Sequence, residues 1–97
     1  MNTLEMTEEF EGWLDSLNEK TQSRIYAYLS RLEANNFGSC KSVGDGVSEL
    51  RMDFGPGYRA YFGRTGNTVY LLLTGGDKGS QDADIARAKR LWASREE

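Results

Sequence analysis

Arg51, Arg59 and Lys78 are the cations whose spacing could do chemistry in this chain, and Glu49, Tyr61 and Tyr70 lie close to them in sequence. A guanidinium offers a planar fork that matches phosphate oxygens, and tyrosine rings stack on exposed bases. The residue types therefore suit a phosphate or RNA site. Other chemistries have less to draw on. The chain has no histidine and a single cysteine, Cys40, which rules out an internal disulfide and reads as a packing or loop cysteine. Gly75-Gly76 resembles a fragment of a phosphate loop, but the spacing of a nucleotide-binding loop is missing.

These residues need elements to hold them. Asn2 to Met6 reads as a short edge strand. Thr7 is a candidate N-cap, followed by Glu8 and Glu9 in a first turn. Phe10, Trp13, Leu14 and Leu17 then recur at helical spacing. Asn18 can cap a second helix with Ile25, Tyr28, Leu29 and Leu32 on one stripe, ending at Asn35-Asn36-Phe37-Gly38. A loop is expected through Cys40 and Gly46. Leu50, Met52 and Phe54 follow at period 2, then a turn at Gly55-Pro56-Gly57. Tyr58, Ala60 and Phe62 alternate next, with a second turn at Gly66-Asn67. Val69 to Thr74 is a nearly continuous apolar strand. Gln81 to about Ser94 is a helix with Ile85, Ala88, Leu91 and Trp92 as its stripe. The order β-α-α-β-β-β-α is an α+β pattern, with a small, mostly antiparallel sheet packed on helices in one domain over residues 1–97.

The turns set a register. A three-residue loop at 55–57 places Met52 opposite Ala60, Asp53 opposite Arg59 and Arg51 opposite Tyr61. A two-residue loop at Gly66-Asn67 places Tyr61 opposite Leu72 and Arg59 opposite Thr74. One face then carries Leu50, Met52, Ala60, Phe62, Val69, Leu71 and Leu73 against the helices. The other, open face carries Glu49, Arg51, Asp53, Arg59, Tyr61, Tyr70 and Thr74, with Lys78 just beyond. The same residues equally suit an ordinary solvated face, with Arg59 and Asp53 as a cross-strand ion pair.

The formal net charge is −3 and the pI near 5.0, so long-range attraction to a polyanion is weak. The acidic residues concentrate in the first third (Glu5, Glu8, Glu9, Glu11, Asp15, Glu19), which leaves a basic site on an acidic body possible. No apolar run approaches the roughly 20 residues that span a membrane, and the N-terminus lacks the features of a signal peptide. A cytoplasmic protein is expected.

Three segments carry a resemblance: Gly44-Asp45-Gly46-Val47-Ser48-Glu49-Leu50-Arg51, Gly55-Pro56-Gly57-Tyr58-Arg59-Ala60-Tyr61-Phe62, and Gly75-Gly76-Asp77-Lys78 with Gln81-Asp82 and Asp84-Ile85. In this order and spacing the chain resembles the addiction-module killer branch of the RelE/HigB-like toxins over nearly its whole length. The resemblance implies a RelE-like fold and a toxin that enters the ribosome and cuts mRNA as an endoribonuclease. The ribose 2′-OH would attack the adjacent phosphate with no metal or other cofactor. It implies Arg51 and Arg59 as phosphate clamps, and Lys78 as the group that stabilises the phosphorane or the leaving oxygen. Glu49 would be a general base, Tyr61 a substrate-orienting ring, and Lys41 an outlying RNA contact. The implied partner is an antitoxin of helix-turn-helix type, through which alone the toxin would meet DNA. Two other functions remain open for such a chain: a gyrase inhibitor without nuclease chemistry, and a degenerate toxin that chiefly binds its antitoxin.

Overall fold

A computed structural model describes residues 3–66 and 69–95. Strand β1 (Thr3–Met6) leads into helices α1 (Glu8–Asp15) and α2 (Glu19–Glu33). Strands β2 (Cys40–Gly44), β3 (Val47–Met52), β4 (Tyr58–Thr65) and β5 (Val69–Gly76) follow. A 3-10 turn (Lys78–Ser80) then enters helix α3 (Gln81–Ser94). The strands form one sheet in the order β1-β5-β4-β3-β2, with β1 parallel to β5 and every other pair antiparallel. The architecture is α+β, compatible with a small RelE-like fold.

The two N-caps act as their residue types dictate. The Thr7 hydroxyl accepts from the Phe10 N–H at 3.0 Å and donates to the Leu73 carbonyl at 2.6 Å, which ties the start of α1 to β5. The Asn18 side chain accepts from the Thr21 N–H at 2.8 Å. Asn35 takes the left-handed conformation (φ 64°) just past α2. Phe10, Leu14, Ile25, Leu29 and Leu32 from these two helices bury against Leu50, Met52, Ala60, Phe62, Tyr70 and Leu72 of the sheet.

Four expectations need correction. Residues 40–44 are not a loop: they pair with β3 as an edge strand too polar and too short to show in the hydrophobic pattern. In the β3–β4 hairpin, Met52 lies opposite Tyr58 and Leu50 opposite Ala60, so the connection is Asp53–Gly57 rather than three residues. That slip is two residues, the period of the pleat, and it leaves every side chain on its expected face. The third correction does change faces. Asn67 lies outside the described residues, but the β4–β5 ladder closes at Thr65 and Val69, one residue further than a two-residue turn allows. Phe62 therefore meets Leu72, and Tyr70 and Leu72 turn toward α1 and α2, while Leu71 and Leu73 turn away. An irregularity between Tyr61 and Phe62 then shifts the ladder, placing Tyr61 opposite Thr74 and Arg59 opposite Gly76.

The fourth correction follows from the third. The second face is not open. Val47, Tyr61 and Leu73 on it form a second core with Ala88 and Trp92 of α3, flanked by Leu71, Ile85 and Leu91. Close approach depends on missing side chains. A Cβ at Gly63 would lie 2.4 Å from ring carbons of Trp92. On β5, a Cβ at Gly75 would meet the Trp13 ring at 2.2 Å, and one at Gly76 would meet an Asp84 carboxylate oxygen at 1.8 Å from the other side. The Gly-Gly pair thus serves packing on both faces.

Adding a methyl at Gly63 forces the Trp92 ring off its seat, an overpacking that typically costs about 1–3 kcal/mol. The Gly63→Ala variant is expected to lose about that much stability, and so to unfold at lower urea concentration with an unchanged denaturant slope. An unaltered midpoint in urea titration would show that α3 does not bear on the sheet there.

Candidate functional site

The polar residues gather at the end of the sheet where α3 begins. Across the strands runs one row of partners, Lys41, Glu49, Tyr61 and Thr74. Beside it runs a second, Arg51, Arg59 and Gly76. Lys78 stands at the start of the 3-10 turn that follows β5. Gly57 (φ +81°) marks where it meets the arginines: a Cβ at this glycine would lie 3.4 Å from Lys78 Cβ and 3.8 Å from Arg59 Nη1. The two arginines and the lysine expected from the sequence are therefore neighbours.

They are not equivalent. Arg51 is exposed and pairs with Asp53, Nε to Oδ1 3.3 Å. Lys78 is also exposed. Arg59 is 8% exposed and forms the floor. Its partner is Glu49 rather than Asp53, with Nε 3.9 Å from Glu49 Oε2. Glu49 itself is 2% exposed. Its Oε2 accepts a hydrogen bond from Gln81 Nε2 at 2.7 Å, and its Oε1 lies 3.9 Å from Lys41 Nζ. Lys41, Glu49 and Arg51 together line a cleft of about 100 Å³.

Tyr61 is fully buried between Glu49 and Thr74, with no ring face open for stacking. Burial, reinforced by the Glu49 carboxylate and more weakly by Asp84, pushes its phenol well above the ordinary value, while Arg59 pulls the other way. The Tyr61 hydroxyl faces the Glu49 carboxylate without closing a hydrogen bond of good geometry, and Arg59 Nε has the ion pair with Glu49 but no hydrogen bond among the described residues. Tyr70 does not join the site. It is 3% exposed on the opposite face, packed edge-on against Phe62 and Phe37.

Two contributors escaped the sequence reading. Gln81 anchors Glu49, and Asp84, buried over Gly76, accepts from the Ser80 hydroxyl at 2.5 Å. A signal for Asp84 was present: it precedes Ala88 and Trp92 by helical spacing on the inward stripe, where a carboxylate needs a polar neighbour. Among the described residues, no group of three or more His, Cys, Asp or Glu side chains is arranged to hold a metal ion.

The arrangement can grip an anion. Arg51 and Lys78 reach into solvent, and Arg59 is held below them by a carboxylate that is itself held by Gln81 and Lys41. Such fixed donors are what stabilise charge developing on a phosphate. Glu49 serves this site as an anchor: its burial and its occupied oxygens suit holding Arg59, not taking a proton from an outside ribose.

Residues 12–93 match the family described as "Phage derived protein Gp49-like (DUF891)". An uncharacterized protein of Haemophilus influenzae is 45% identical over 89 residues, covering 91% of this chain and 90% of that one. Among the described residues no helix is long and apolar enough to cross a membrane.

A buried phenol that resists ionisation stabilises the fold only while the unfolded chain's phenol is also protonated. Stability is therefore expected to be intact below about pH 10 and to fall as pH rises past it, because the unfolded tyrosine ionises there and the folded one does not. Tyr61→Phe removes both that liability and a buried hydroxyl that closes no hydrogen bond of good geometry. Its denaturation midpoint should equal or exceed the parent's near pH 7 and decline less steeply above pH 10. Parallel declines in the two proteins would mean the Tyr61 phenol titrates as an exposed one does.

Proposed function

The chain belongs to the Gp49-like family of phage-derived proteins, a RelE-like toxin family, and on that footing we propose that it is the toxin of a toxin–antitoxin pair that cuts mRNA on the ribosome. The observation that carries this reading is the convergence of Arg51, Arg59 and Lys78 at one end of the sheet. In the proposed reaction the ribose 2′ oxygen bonds to the adjacent phosphorus. The bond from phosphorus to the 5′ oxygen breaks, and the proton released from the 2′-OH is balanced by one delivered to the leaving oxygen. Negative charge builds on the phosphate oxygens on the way. Arg51 and Lys78 meet that charge from the solvent side, with Lys78 nearer the leaving oxygen, and Arg59 meets it from the floor. With no histidine in the chain and Glu49 engaged, orientation and positive charge carry the rate.

The proposed setting is the cytoplasm, with the ribosome and its mRNA as target. A helix-turn-helix antitoxin would be the partner, and DNA would be reached only through it. Part of the excess of acidic residues lies well away from the cations. The exposed carboxylates Glu8, Glu9, Glu11 and Asp15 lie on α1, across the sheet from the cations. At physiological salt, charges further apart than about 8 Å are largely screened from one another where solvent lies between them.

Expression without the antitoxin is expected to arrest growth and to yield transcripts cut within codons. Arg51→Ala and Lys78→Ala change exposed side chains and should leave the thermal midpoint nearly unmoved. Each is expected to slow cleavage by about 10²–10³-fold, the usual cost of one such donor. Primer extension on a reporter transcript reads this directly. Full-rate cleavage by both variants would remove the site. Growth arrest with intact transcripts and a DNA-damage response would instead favour a gyrase inhibitor.

A further inference from the structure

A second cleft lies on the other side of Lys41. It is a groove of about 320 Å³ lined by Phe37, Cys40, Phe62 and Tyr70, with two cationic residues, Lys41 and Arg64, in its described lining. Its described lining contains no carboxylate, in a chain with 15 acidic residues. Phe37 is 41% exposed, one of two large apolar side chains so placed among the described residues, and its ring stands edge-on to Tyr70 at 5.8 Å. The Arg64 guanidinium lies 5.5 Å from the centre of the Tyr70 ring. An exposed ring in a groove that also holds two cationic residues, with no acidic group in the described lining, matches what a single-stranded nucleic acid needs: a platform for the base and positive charge for its phosphates. Lys41 supplies continuity, because the same side chain lines both this groove and the small cleft it shares with Glu49 and Arg51.

We infer that this groove is a nucleobase subsite: an RNA strand held at Arg51, Arg59 and Lys78 passes over β2 at Lys41 and seats a flanking base on Phe37. The inference rests on the RNA-cutting function proposed above and extends it to a position outside the cleavage site. Phe37 acts by stacking and Lys41 by pairing with the phosphate between the two clefts. Since every base has a π face, the subsite adds affinity for single strands with little base preference.

The test is fluorescence anisotropy with a labelled, unstructured RNA hexamer at low salt, on the full chain. Phe37→Ala is expected to weaken binding by about 5- to 150-fold, the range that loss of one stacked base carries. Phe37→Trp should bind as the parent does, with RNA quenching its added indole over and above any change in the parent, whose own Trp13 and Trp92 set the baseline. Thermal melting checks that both variants fold, as replacement of an exposed ring should allow. Unchanged affinity in Phe37→Ala, or an indole that RNA does not quench, overturns the subsite. So does an acidic, phenylalanine-containing peptide that quenches the indole when RNA does not, since the groove would then be a protein-docking surface. Transcript cleavage by the parent separates the two ideas: cutting that persists alongside unchanged Phe37→Ala binding sinks the subsite alone. Phe37-dependent binding without any cutting sinks the nuclease reading and leaves a single-strand binding groove.

Discussion

A carboxylate shut away from water has to be met by donors, and in this protein that requirement falls on Glu49. Burying such a group unpaired costs several kcal/mol. Its partners come from three different elements: Lys41 from β2, Arg59 from β4, and Gln81 from the first turn of α3. Satisfying this one group therefore fixes where α3 starts, how the edge strand lies, and which way Arg59 points. The exposed Arg51 and Lys78 gain a rigid cation beneath them as a by-product. The centre of the candidate site is thus a structural requirement of the fold.

The sequence made some of this legible and hid the rest for identifiable reasons. Helix caps at Thr7 and Asn18 and the stripes of all three helices are local patterns, and they stand where the spacing puts them. The faces of Glu49, Arg51, Arg59 and Tyr61 survive a wrong hairpin length because that error was a whole pleat period. Strand β5 is different. A nearly unbroken apolar run does not say which parity faces which side, and it is itself what a strand covered on both faces looks like. The turn length and the irregularity opposite Tyr61 then decide the parity, and neither leaves a mark in residue type. The covering of the second face by α3 is the consequence.

For the site, the three cations were readable because they sit on adjacent strands or at a strand end. Gln81 and Asp84 were not, because their role exists only once α3 folds back over the sheet. Tyr70 was misplaced for the same reason as Leu71 and Leu73, a change of parity along one strand. The cost of the buried arrangement is visible at Arg59 Nε, which has its ion pair with Glu49 but no hydrogen bond, and at the Tyr61 hydroxyl, which likewise closes none of good geometry among the described residues.

At Gly75 and Gly76 only main chain separates the two helical layers, with the Trp13 ring against one surface of β5 and the Asp84 carboxylate against the other. A packed interior compresses little and passes displacement on. No side chain of β5 stands there, so the barrier between the two layers is one backbone thick just before the turn from which Lys78 projects, and any side chain added at either glycine would have to displace a helix.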